Sequence, residues 1–82
     1  MKETKIEKLE YTTFGYDFNR FVDGFNDAFD EFRNLCADEL ESNLEWARER
    51  CCRFAESGNT ELENYYWGVI AFCERRLKEI RE

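Results

Sequence analysis

Five phenylalanines, Phe18, Phe21, Phe25, Phe29 and Phe32, recur at steps of three, four, four and three within the stretch DFNRFVDGFNDAFDEF. At about 100° of rotation per residue, that spacing gathers them into an arc of roughly 80° on one face of a helix. Cys36 continues the stripe, while Asp23, Asp27, Asp30, Asn34 and Asp38 collect on the opposite side. The pattern predicts an amphipathic helix over about 16–36, with Phe turned inward and acid outward.

The rest of the chain is suited to the same class of structure. Proline is absent and glycine occurs only at positions 15, 24, 58 and 68, so turns are few. Extending the Phe phase beyond Asp38 fails, because Glu39 and Asn43 would fall inside the apolar stripe. A new register starts instead with Leu40, Leu44, Ala47, Cys51 and Phe54. Asp38 with Glu41, and Ser42 with Glu45, each fit a capping box. Acids at the start of this run and Arg48, Arg50 and Arg53 near its end suit the helix dipole. A second helix is therefore expected over about 39–57, after a break or sharp bend between about 36 and 42. The alternative is one long, gently curved helix.

Ser57-Gly58-Asn59 reads as a helix stop, and Thr60 followed by Glu63 as the next capping box. The third helix is expected over about 61–80. Its inner stripe is Leu62, Tyr66, Val69, Cys73, Leu77 and Ile80, flanked by Tyr65, Ile70 and Phe72. In residues 1–14, Ile6, Leu9 and Tyr11 suit a short strand, a weak helix or an extended arm, and an arm packing on the bundle is expected. The fold class is all-α: a small three-helix bundle, or a long bent helix plus an antiparallel helix, in a single domain with an N-terminal arm.

Composition narrows the function. Of 82 residues, 43% are hydrophobic and 17% aromatic, enough for a compact core. No apolar run approaches the roughly 18 residues of a membrane span. The opening MKETKIEKLEYTTF lacks the apolar stretch of a signal peptide, so a cytosolic location and no membrane partner are expected. Cys36, Cys51, Cys52 and Cys73 have neither CxxC spacing nor any His beside them, which disfavours zinc and disulfides. They are expected as small core residues, Cys52 being the one open to exposure.

Catalysis is not expected. Histidine, the commonest general base, is absent. Ser42 and Ser57, the only serines, lie at predicted helix ends. Cys51-Cys52-Arg53 places thiols beside a cation, which could lower a thiol pKa, but without a base or a resolving motif. No phosphate-binding loop is present, and no cofactor or metal is expected. Direct nucleic-acid binding is disfavoured as well, since it needs a basic patch.

Charge placement is more telling. The formal net charge is −7. Residues 1–16 balance three lysines with three acids, and residues 46–82 balance seven basic with seven acidic residues. Residues 17–45 hold nine acids against Arg20 and Arg33 alone, so this segment carries the whole net charge. Asp23, Asp27, Asp30, Asp38, Glu41 and Glu45 would recur at one-turn intervals, about 5–6 Å apart. That spacing is comparable to phosphates along a DNA strand. Ordinary solubility would also produce acidic outer faces, yet the other two helices mix their signs. Trp67 projects away from its inner stripe beside Glu63 and Glu74, and Trp46 lies at the edge of its helix. Exposed Trp is a frequent interface anchor. The candidate partner-binding residues are thus the six acids with Trp46 and Trp67.

In its length, its all-helical pattern and the acidic run DFNRFVDGFNDAFDEF continued by Asp38, Glu41 and Glu45, the chain resembles small phage-encoded inhibitors. That class includes anti-CRISPR proteins and DNA-mimic anti-restriction proteins. The resemblance implies a non-enzymatic inhibitor in the host cytosol that occupies a basic nucleic-acid channel or binds an effector subunit. It involves no shared motif, so no functional residue is carried over. Besides this inhibitor, a helical adaptor or homo-oligomer such as a homodimer is expected as the alternative, its Phe-rich face completing a bundle between chains. An enzyme or metal protein is the third hypothesis, and no constellation of residues supports it.

Overall fold

The computed structural model describes residues 11–81, and their side chains from residue 19 onward. These residues form three helices and no strand: α1 (Tyr11–Phe32), α2 (Ala37–Ser57) and α3 (Thr60–Arg81). The architecture is the all-α, three-helix bundle that the periodicity predicts. Of the expected arm, residues 1–10 lie outside the described residues. Residues 11–14 already belong to α1, which begins earlier than its Phe stripe suggested. The side chain of Phe18 also lies outside the described residues.

The first break falls earlier than expected, at residues 33–36. Leu35 N–H turns back to the Phe32 carbonyl at 3.1 Å, and Cys36 is extended (φ −76°, ψ 171°). Cys36 is the N-cap of α2: its own N–H donates to the Glu39 carboxylate at 3.1 Å, and its carbonyl accepts Leu40 N–H at 2.9 Å. The side-chain-to-backbone logic of a capping box therefore operates two residues ahead of the expected Asp38–Glu41 pair and six ahead of Ser42–Glu45. Cysteine is no favoured cap, which is why the start went unread. It follows that Cys36 does not extend the Phe stripe but is exposed.

The second turn has the predicted chemistry. Gly58 adopts φ +80°, the left-handed conformation that a Cβ disfavours. Its N–H donates to the Ala55 carbonyl at 3.2 Å, and Asn59 N–H donates to Phe54 at 2.9 Å. These two bonds satisfy the last carbonyls of α2. Asn59, rather than Thr60, caps α3, its Oδ1 accepting Leu62 N–H at 3.2 Å. So short a connection folds α3 back antiparallel to α2, and ion pairs Arg48–Glu74 (2.7 Å) and Arg81–Glu41 tie the hairpin along its length.

Both other helices pack against α3. The α1 seam is backbone against backbone. A Cβ on Gly24 would stand 1.8 Å from the Tyr65 carbonyl oxygen, and one on Gly68 would stand 2.0 Å from the Phe21 carbonyl oxygen. Mid-helix glycine costs roughly 0.5–1 kcal/mol relative to alanine, and the close approach it allows offsets that cost. Around this contact Phe25 and Phe29 meet the Phe72 ring edge-on, at centroid distances of 5.5 and 6.0 Å. Such ring pairs contribute about 0.5–1.5 kcal/mol beyond area burial. Phe21 and Phe32 are only half-buried, whereas Val22 and Ala28 are fully inside, so the buried face of α1 is rotated slightly off the Phe stripe.

Along the other seam Leu40, Leu44, Ala47 and Cys51 are buried, in the register read from the sequence. In α3 the predicted stripe holds at Val69, Cys73 and Leu77, but Leu62 and Ile80 are exposed. Gly68, Ile70 and Phe72 are buried as well. A helix with a neighbour on each of two sides needs a wider apolar arc than one stripe provides.

Candidate functional site

Where the three helices meet, a cleft of about 230 Å³ opens to the surface. Asp27 and Glu31, one turn apart on α1, form one side. Trp46 of α2 forms another, and Tyr65 and Tyr66 of α3 lie between them. Trp46 is also shared with an adjoining depression on the outer face of α2, rimmed by Glu45 and Glu49. Four carboxylates therefore surround one half-exposed indole.

The aromatic side chains brace each other. Tyr66 stacks on Phe54 (5.8 Å, 12°) and meets Trp46 and Tyr65 edge-on at 5.5 and 5.2 Å. Arg50, four residues after Trp46 on the same helix, lies over the indole with its guanidinium carbon 4.7 Å from the ring centroid. The Tyr65 hydroxyl donates to Asp27 Oδ2 at 2.6 Å. Burial, and then this bond to a carboxylate, push the Tyr65 pKa well above the ordinary phenol value. Tyr65 is accordingly a fixed donor across the ordinary pH range, and Asp27 is held in place by it.

The sequence-derived candidates are dispersed by the fold. Asp27, Glu45 and Trp46 come together around the cleft. Asp23 does not stand open on an outer face: its carboxylate pairs with Arg20 at 2.7 Å, and its side chain is only 17% exposed. Asp30 is exposed beyond the cleft, and Asp38 lies in the first turn of α2. Glu41 is engaged by Arg81 at the far end of the hairpin. The acids thus form no continuous column, because the turn at 33–36 divides them between two helices. Trp67, 48% exposed, lies apart in an apolar groove between α2 and α3, with its indole N–H 3.3 Å from Glu63.

Glu31, Glu49, Tyr65 and Tyr66 were not singled out from the sequence. Glu31 follows Asp27 by one turn, which is a readable signal. The tyrosines resemble flanking core residues until α1 and α2 are set against them.

The thiols divide into two pairs. Cys36 and Cys52 are exposed, while Cys51 and Cys73 are buried. Burial, with Glu74 adding to it, pushes the Cys73 pKa up to about 11. Burial also raises Cys51, followed by the charge of Glu63 and then Cys52, and its S–H faces the Glu63 carbonyl at 3.6 Å. Arg53 beside it instead faces Glu49, at 3.8 Å. Cys51 is therefore no activated thiol.

Among the described residues, no group of three His, Cys, Asp or Glu side chains could hold a metal ion. No described helix is long and apolar enough to cross a membrane. The chain matches no family model, no curated protein and no solved structure.

Proposed function

We propose that this protein is a non-enzymatic binding module that engages a basic protein, of the kind that handles nucleic acid, and inhibits it by covering its cationic surface. The carrying observation is the confinement of the whole net charge to residues 17–45, with Asp27, Glu31, Glu45 and Glu49 disposed around Trp46. A field of one sign steers an oppositely charged partner, and an aromatic ring within it supplies contact area once the partner has arrived. A phage-encoded inhibitor of a host nucleic-acid effector, such as an anti-CRISPR protein acting in the host cytosol, fits this design. The adaptor or self-associating alternative is favoured by a different feature, the exposed Trp67 in its apolar groove of about 500 Å³.

Kinetic binding to a partner captured from host lysate at low salt tests the proposal. Glu31→Gln/Glu45→Gln is the variant of choice, because Asp23, Asp27 and Glu49 have bonds within the fold. Association should slow by about an order of magnitude while dissociation changes little, and added salt should slow the parent protein likewise. Unchanged association with no salt dependence would reduce the acids to a solubilising surface. A shift to dimer that Trp67→Ala abolishes would favour self-association.

A further inference from the structure

We infer that the cleft bounded by Asp27, Glu31 and Trp46 is a receptor for one arginine side chain of the basic partner. This rests on the function proposed above and names the group by which that partner is held. Small-molecule pockets usually span about 300–1,000 Å³. A cleft of about 230 Å³ suits a single inserted side chain rather than a cofactor.

Its lining selects the chemistry. Trp46, Tyr65 and Tyr66 present aromatic surface, and Asp27 and Glu31 stand beside it. A cation over an aromatic ring is attracted by the ring quadrupole. A planar guanidinium can stack on such a ring and still direct its forked N–H donors at a carboxylate, whereas an ammonium is a compact, strongly hydrated point charge.

Two further features point to guanidinium. The molecule already holds one against Trp46, that of Arg50 at 4.7 Å, which shows that this indole accepts a guanidinium, and Arg50 is not part of the cleft lining. Asp27 is also prearranged: Tyr65 donates to its Oδ2, fixing the carboxylate, and a carboxylate has lone pairs enough to accept further donors. Prearrangement lowers the ordering cost of binding.

The test is an NMR titration of the ¹⁵N-labelled full chain with three lysine-rich peptides that differ only at a central residue: arginine, lysine or citrulline. The arginine peptide should bind at least about fivefold tighter than either of the others. Its shifts should centre on the Trp46 indole N–H and the amides of Tyr65 and Tyr66. Glu31→Gln, at an exposed position that spares the fold, and Trp46→Leu should each remove that preference. Equal, salt-sensitive binding of the arginine and lysine peptides, with shifts spread along the exposed acids, would overturn the arginine receptor and leave the basic-partner proposal standing. No binding of any peptide at low salt would overturn both. Shifts centred on Trp67 would overturn the assignment to this cleft.

Discussion

The two seams of α3 are built on opposite principles. Against α1, the backbones themselves touch, at Gly24 and Gly68, and the nearest atoms are main-chain atoms that cannot rotate away. Against α2, contact is made by side chains of moderate size, Leu40, Leu44, Ala47 and Cys51, and by ion pairs that are about half exposed. One seam has no slack, while the other leaves depressions along α2, including the groove beside Trp67. Four depressions of the described surface each take part of their lining from α2, which is where a partner can find shape. The α1 seam acts as the rigid backing that sets Asp27 and Glu31 across from Trp46.

The sharpest way to break this contrast is to add a methyl group at each glycine. Overpacking typically costs about 1–3 kcal/mol, and more where atoms cannot yield. Total stability for a chain of this length is on the order of 4–12 kcal/mol. Gly24→Ala/Gly68→Ala together should therefore leave little folded protein, although alanine is the better helix former by ~1 kcal/mol. Each single change should cost about 3 kcal/mol or more in urea unfolding followed by circular dichroism. A cost under about 1 kcal/mol per site, below the overpacking range, would show that α1 lifts off α3 freely, and the two seams would no longer differ.

Large-to-small changes sharpen the comparison from the other side. Phe25→Ala removes a ring wedged beside the glycine contact and should cost ~3–5 kcal/mol. Leu44→Ala lies on the α2 seam, where neighbouring side chains can close in, and should fall nearer ~2–3 kcal/mol, the low end for its type. Equal losses in the same unfolding assay would mean that α2 is held as firmly as α1.

The smallest effect is expected with pH. Tyr65 and Cys73 both bind their protons more tightly in the folded chain, and the thiol rises from 9.0 to about 11. Their contribution to stability is complete below the unfolded values and is lost as pH climbs through the folded ones. The melting temperature should thus hold steady from neutrality to about pH 9 and decline from there toward pH 11, as the unfolded thiol and then phenol ionise. Tyr65→Phe, which removes the hydroxyl facing Asp27, should make the decline shallower. A curve flat to pH 11 would show that neither proton is held by the fold.

Much of the fold was legible along the chain. The steps from Leu40 to Cys51 are the buried face of α2, and Gly58 turns the chain where glycine was expected to. Both signals act within one helical turn, so a linear pattern can carry them. The Phe stripe was right in kind but off in rotation, because α1 is oriented by the glycine contact as well as by its apolar residues. The apolar pattern does not announce that contact: along the chain Gly24 and Gly68 read only as sparse turn formers, and the close approach they permit exists only once α1 and α3 are set together.

By itself, the sequence determined the helical class, the hairpin of α2 and α3, and the confinement of net charge to residues 17–45. Tertiary structure alone decided which acids face outward together. Tyr65 reaches Asp27 across 38 residues, and Arg81 reaches Glu41 across 40. Periodicity assigns a residue to a face of its own helix. It says nothing of how far neighbouring helices rotate about their axes, and that rotation sets which side chains meet.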